Sequence, residues 1–127
     1  MIIVDASKPS SVLDVLAIAA HPDDVEQTCG GTLIKMAEMG YRTGVLDLTA
    51  GDMGTRGSPE TRIAESEVAA GHMLLSWRGN LRMPDARLEN SLGARMSLAV
   101  KIRELRPRLV ILPYWQARHP DHYRACQ

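Results

Sequence analysis

The chain has 127 residues, a length that suits one domain with a core of ordinary size. An apolar share of 45% and a charged share of 24%, without low-complexity stretches, exclude a disordered chain. Lys and Arg total 15 and Asp and Glu total 15, so the excess positive charge that carries phosphate-backbone or acidic-membrane binding is missing.

The opening MIIVDASKPSS has no basic region followed by a continuous apolar run, so no secretory signal is expected. Residues 15–20 form one of the longest apolar runs and are far too few to cross a bilayer, which makes the cytoplasm the expected location. Cys29 and Cys126 lie far apart and form no metal-type pair; reduced thiols are expected there.

Residues 12–20, VLDVLAIAA, are apolar at nearly every position, as in a parallel strand buried on both faces. Residues 30–39 place Leu33, Ile34, Met36 and Ala37 on a short amphipathic helix that Gly40 stops. TGVLDLT, residues 43–49, is a second strand that runs into the loop AGDMGTRGSPE. Ser58 followed by Pro59 starts a helix over residues 59–73, with Ile63, Ala64, Val68 and Gly71 expected toward the sheet. Residues 76–81 suit a short third strand. Leu88, Leu92, Met96, Ala99, Ile102 and Leu105 then recur at helical spacing and are expected along one inward face. Pro107 ends that helix, and RLVILPY, residues 108–114, is the next buried strand.

This alternation predicts an α/β, Rossmann-like, mostly parallel sheet with helices on both faces and right-handed crossovers. Ligands of such sheets bind beyond the carboxyl ends of the strands, where strand order reverses. With the order 3-2-1-4, the strands at 12–20 and 108–114 are neighbours at that reversal. Each leads into a loop of histidine and aspartate.

The first loop is His21-Pro22-Asp23-Asp24-Val25-Glu26 and the second is His119-Pro120-Asp121-His122. Either one alone reads as an ordinary polar loop, and Asp23 and Asp24 alone read as carboxylates capping the next helix. Together they bring metal-binding and titratable groups to one end of one sheet. A zinc hydrolase needs about three protein ligands and an open position for water. His21, Asp24 and His122 supply such a set. Asp23 is the natural base, because neighbours in a turn point in different directions. His119 would stabilise or protonate the tetrahedral intermediate, and Asp121 would orient an imidazole from behind. His72, inside a helix, is expected to have no role. Cys29-Gly30-Gly31 after a strand invites a nucleotide-binding reading, but GxGxxG is absent and the acidic loop opposes phosphate.

In the order AHPDDVE, CGGTL, GDMGTRG, RGNLRMPD and HPDH, the sequence resembles the LmbE-like or PIG-L zinc deacetylases, above all their bacillithiol-biosynthesis-type members. The resemblance implies hydrolysis of the acetamide of an N-acetylglucosamine conjugate. It assigns His21, Asp24 and His122 to zinc or another divalent ion, Asp23 to the base, His119 to the oxyanion and Arg56 to the substrate. Homo-oligomers occur in the family, so self-association is compatible with it. Asp52 stands where many members have glutamate. Members usually continue well past the second loop, so residues 1–127 are expected to form the N-terminal part of a single domain, incomplete at its C-terminus. The competing readings are a noncatalytic metal-binding scaffold and a sugar-binding fragment of the same fold.

Overall fold

A computed structural model describes residues 13–127, so Val12 and the KPSS segment lie outside the described residues. Strand β1, Val15–Ala19, is followed by helices α1, Asp24–Thr28, and α2, Gly30–Glu38. Strand β2, Thr43–Thr49, leads to helix α3, Pro59–His72, and strand β3, Trp77–Met83. Helix α4, Leu92–Leu105, strand β4, Leu109–Ile111, and helix α5, Pro120–Cys126, complete the order. The strands form one parallel sheet in the order β3-β2-β1-β4, with Val15 level with Thr43 on one side and with Leu109 on the other.

The unbroken apolar character of β1 has a direct cause. Successive side chains point to opposite faces of the sheet, and both faces are covered. Leu16, Ile18 and Ala20 join Leu46, Leu48, Leu105 of α4 and Ala125 of α5 in one core. Val15, Ala17 and Ala19 join Val45, Val25 of α1, Leu33 of α2 and Met73 in the other. Burying a Leu or Val of this kind contributes roughly 1.5–3 kcal/mol. Among the described residues, no helix is long and apolar enough to cross a membrane.

Two local signals act as the sequence implies. Gly40, just past α2, has φ +92°, a left-handed conformation that favours glycine. The Ser58 hydroxyl accepts from Thr61 N at 3.1 Å and caps α3, with Pro59 opening the helix.

Three expectations about faces need correction. On α3, Ile63 is half-buried but Ala64, Val68 and Gly71 are exposed; Ser66, Ala69 and Ala70 turn inward instead, ahead of Met73. Small and polar residues form this inner face, so hydrophobic periodicity cannot locate it. On α4, Leu92 is 70% exposed and Met96 57%, while Leu98, Ile102 and Leu105 pack on the sheet. Ser91 caps that helix through Ala94 N, so buried Leu88 belongs to the preceding loop. Steps of four residues advance about 40° round a helix, so the row Leu92, Met96, Val100 lies off the core-facing stripe. Finally, β4 is shorter than residues 108–114 and is not buried: Leu109 is 51% and Val110 37% exposed. It is an edge strand, paired among the described residues with β1 alone.

Candidate metal centre

β1 and β4 are parallel neighbours, so the loops after them emerge at the same end of the sheet. His21 follows β1 within two residues, and His119 and His122 lie at the start of α5. The His21 Nδ1 stands 3.2 Å from His122 Nε2 and 3.4 Å from Asp24 Oδ2, and His122 Nε2 stands 3.1 Å from that same oxygen. Ligands about 2.0–2.1 Å from a tetrahedral zinc stand roughly 3.4 Å from each other. The donor atoms of His21, Asp24 and His122 therefore fit a small divalent cation in both spacing and chemistry. Cys29 and Cys126 take no part and are free thiols.

His21, His119 and Asp121 form a second close group. Most of its donor atoms are already committed. The Asp121 oxygens accept from Ala86 N at 2.8 Å and Leu88 N at 3.0 Å, and one of them lies 2.9 Å from His21 Nε2. His119 Nδ1 accepts from Asp121 N at 3.1 Å and caps α5. That bond leaves the proton of a neutral His119 on Nε2, in the cleft that His119 lines with the other two histidines.

Asp23 and Asp24 differ as adjacent residues in a turn should. Asp24 accepts from His21 N at 3.0 Å. Burial raises its proton affinity, but hydrogen bonds from the His21 side chain and backbone and the charge of His122 outweigh this and hold the carboxyl below its ordinary value. Asp23 has φ 94° and ψ −23°, makes no capping hydrogen bond through its side chain, and is 57% exposed. Its pKa is raised, first by burial and then by the charge of Asp24, against the opposing charges of Arg62 and His21. Burial disfavours charge on His21, yet hydrogen bonds to Asp24 and Asp121 and the charges of Asp24 and Asp85 prevail and lift its pKa to about 9.

The structure brings His21, Asp23, Asp24, His119 and His122 to one cleft, with buried Asp121 behind His21. Arg56 is not beside the metal donors. It is exposed and lines an adjoining cavity of about 310 Å³, which shares Asp23 and Arg62 with the metal cleft. His72 and Asp52 are exposed.

Asp85 went unrecognised in the sequence. It is 5% exposed, its Oδ1 lies 3.0 Å from His21 Nε2, and its Oδ2 accepts from Met53 N at 2.7 Å. It thereby joins the glycine loop after β2 to the histidine after β1. It closes the motif RGNLRMPD, but an aspartate after proline reads as a turn residue and carries no periodicity that would signal its burial. A second network also escaped notice: Arg78 of β3 donates to both oxygens of Asp47 on β2, at 3.0 and 3.3 Å, and to Glu26 of α1.

The profile of the PIG-L family, described as GlcNAc-PI de-N-acetylase, matches residues 16–127. The diacetylchitobiose deacetylase of Thermococcus kodakarensis is 31% identical over 126 residues, covering 91% of this chain and 47% of that protein. Among solved structures, the conserved protein TT1542 of Thermus thermophilus has a TM-score of 0.87 at 47% identity, over 91% of this chain and 52% of that one. The N,N'-diacetylchitobiose deacetylase of Pyrococcus horikoshii has a TM-score of 0.80 at 31% identity, over 87% of this chain and 45% of that one. The chain spans about half the length of these relatives. From the parallel sheet to the paired histidine-aspartate loops, it belongs to the PIG-L, or LmbE-like, deacetylase family.

Proposed function

We propose that the chain is the N-terminal catalytic part of a metal-dependent N-deacetylase that removes acetate from an N-acetylglucosamine conjugate. The observation that carries this reading is the convergence of His21, Asp24 and His122 donors within 3.4 Å, with the half-exposed carboxylate of Asp23 beside them. Zinc is the cation that such a nitrogen-and-oxygen set suits, although other divalent ions share that preference. The names of two relatives support an acetylated amino sugar as the substrate class.

A divalent cation held by these residues supplies Lewis acidity, which lowers the pKa of water and polarises the acetamide oxygen. Asp23, whose proton affinity is raised, takes a proton from the attacking water and returns it to the departing amine. The His119 Nε2–H donates to the oxygen that becomes negative as the carbonyl carbon turns tetrahedral. Arg56, on the adjoining cavity, holds the remainder of the conjugate through its guanidinium fork.

Asp121 acts through His21. By accepting from Nε2 it keeps the Nδ1 lone pair directed at the ion. Asp121→Asn is expected to weaken metal binding about 10–100-fold, the usual cost of losing such a carboxylate. A competition titration against a chelator measures this, and unchanged affinity would remove Asp121 from the site.

His21 must also surrender a proton. Its pKa of about 9 means that both nitrogens are protonated at neutral pH in the metal-free protein. Ion binding at Nδ1 is expected to release about one proton at pH 7, and affinity to rise about tenfold per pH unit up to roughly pH 9. Calorimetry in two buffers of different ionisation enthalpy checks this. Heats that do not depend on the buffer would show a neutral His21.

The activity test is acetate release by the metal-loaded chain from N-acetylglucosaminyl malate and from N,N'-diacetylchitobiose. Release from either supports the deacetylase. One bound ion per chain with no release from any acetylated amino sugar would favour a noncatalytic scaffold.

A further inference from the structure

Arg62 is neither a metal ligand nor part of a motif that the sequence brings forward, yet the glycine loop, the base and both cavities meet on it. It lies in the first turn of α3, where Arg62 N donates to Ser58 O at 3.0 Å and the Ser58 hydroxyl fixes the turn. Its Nη2 donates to Pro22 O at 3.0 Å and stands 3.8 Å from Asp23 Oδ2. The Pro22 carbonyl belongs to the peptide plane that leads into Asp23. One guanidinium thus grips the backbone entering Asp23 and faces the carboxylate leaving it.

The glycine loop makes room for this grip. A Cβ at Gly51 would lie 2.7 Å from Arg62 Nε, and one at Gly54 would lie 3.0 Å from Nη1. Gly51 also has φ +68°, so a side chain there would be strained as well as obstructive. Asp23, an ordinary L residue at φ 94°, persists in that conformation only where its surroundings over-determine it.

We infer that Arg62 is a positioning residue, which holds Asp23 in its left-handed conformation on the wall shared by the metal cleft and the adjoining cavity. This rests on the reading of Asp23 as the base. Both contacts are made by Nη2, while Nε and Nη1 lie toward Gly51 and Gly54, so the planar guanidinium is seated by the glycine loop as it grips the turn.

The test has one readout that needs no turnover. In metal-free Arg62→Ala, the amides of Asp24 and Gln27, which bond to His21 O and Asp23 O, should exchange at least about tenfold faster, with protection restored by millimolar guanidinium. Methylammonium, which does not fill the seat that Gly51 and Gly54 leave for a planar group, should restore less. In the metal-loaded chain, kcat for acetate release should fall about 100-fold with KM and metal content little changed, and guanidinium should recover part of the loss. Arg62→Lys, which keeps the aliphatic stem and a charge, serves if the alanine variant does not fold, and should show the same pattern more weakly. Faster exchange rescued by guanidinium in a chain that releases no acetate would uphold the grip and overturn the deacetylase. Unchanged exchange, or an unchanged kcat in an active chain, would overturn the inference about Arg62.

Discussion

Asp23→Asn should reduce acetate release by about 10²–10⁴-fold, the span that general acid–base catalysis contributes, while the protein still binds one ion per chain. The substitution keeps the size and planarity of the side chain and removes only its basicity. Metal content should hold because the converging donors belong to His21, Asp24 and His122. The two neighbouring carboxylates are told apart by this experiment. Asp24 is committed to both histidines and has a lowered pKa, whereas Asp23 is open to the cleft and has a raised one. Metal analysis beside steady-state rates decides the matter. Loss of the ion together with the activity would make Asp23 a ligand and leave the base unassigned.

The largest expected effect on stability comes from Arg78→Met, at about 3–5 kcal/mol, the usual result of removing one partner from a buried ion pair. The Arg78 side chain is 5% exposed and that of Asp47 2%, so neither charge has water to fall back on. Even with Arg78 present, burial raises the Asp47 pKa to about 6, against the hydrogen bonds and charge of the guanidinium. Since this value lies above the ordinary 3.8, the folded protein binds the proton more tightly than the unfolded chain does. Stability contributed by Asp47 is therefore complete below about pH 4 and lost as pH rises through about 6. Removing Arg78 should steepen that trend, making the variant most destabilised at neutral pH and less so near pH 5. Denaturant unfolding at several pH values reads this directly. A loss below about 1 kcal/mol at pH 7 would mean that water reaches Asp47.

The extent to which the molecule was legible in its sequence follows from the kind of signal each part carries. β2 was readable because TGVLDLT is bounded by turn residues, and the parallel sheet because strands and helices alternate. The two histidine-and-aspartate loops were readable because one directly follows the apolar run of β1 and the other lies a few residues past that of β4, and adjacent parallel strands bring such loops to the same end of the sheet. Arg78 was not, because a buried ion network has no periodicity: its partners Asp47, Glu26 and the Ser66 carbonyl come from three other elements. The α3 face was misread for a related reason. Arg62, Ser66 and Ala69 turn inward there, beside a cavity that Asp23, Glu26 and Arg56 also line, where apolar residues were expected. β4 reads as buried because a run such as LVIL looks the same at the centre of a sheet and at its edge, and among the described residues it lies at the edge.

His21 and His122 meet across 101 positions of the chain, which sets a timetable for the newly made protein. At about 5–20 residues per second, a ribosome delivers the second histidine roughly 5–20 seconds after the first. For most of that interval β1 exists without β4, and until its end only His21 and Asp24 of the proposed donor set exist. On the proposed reading, an ion arriving early would meet only a two-donor loop. In the proposed metal centre, the complete donor set thus exists only once α5 has been made and docks, bringing His122.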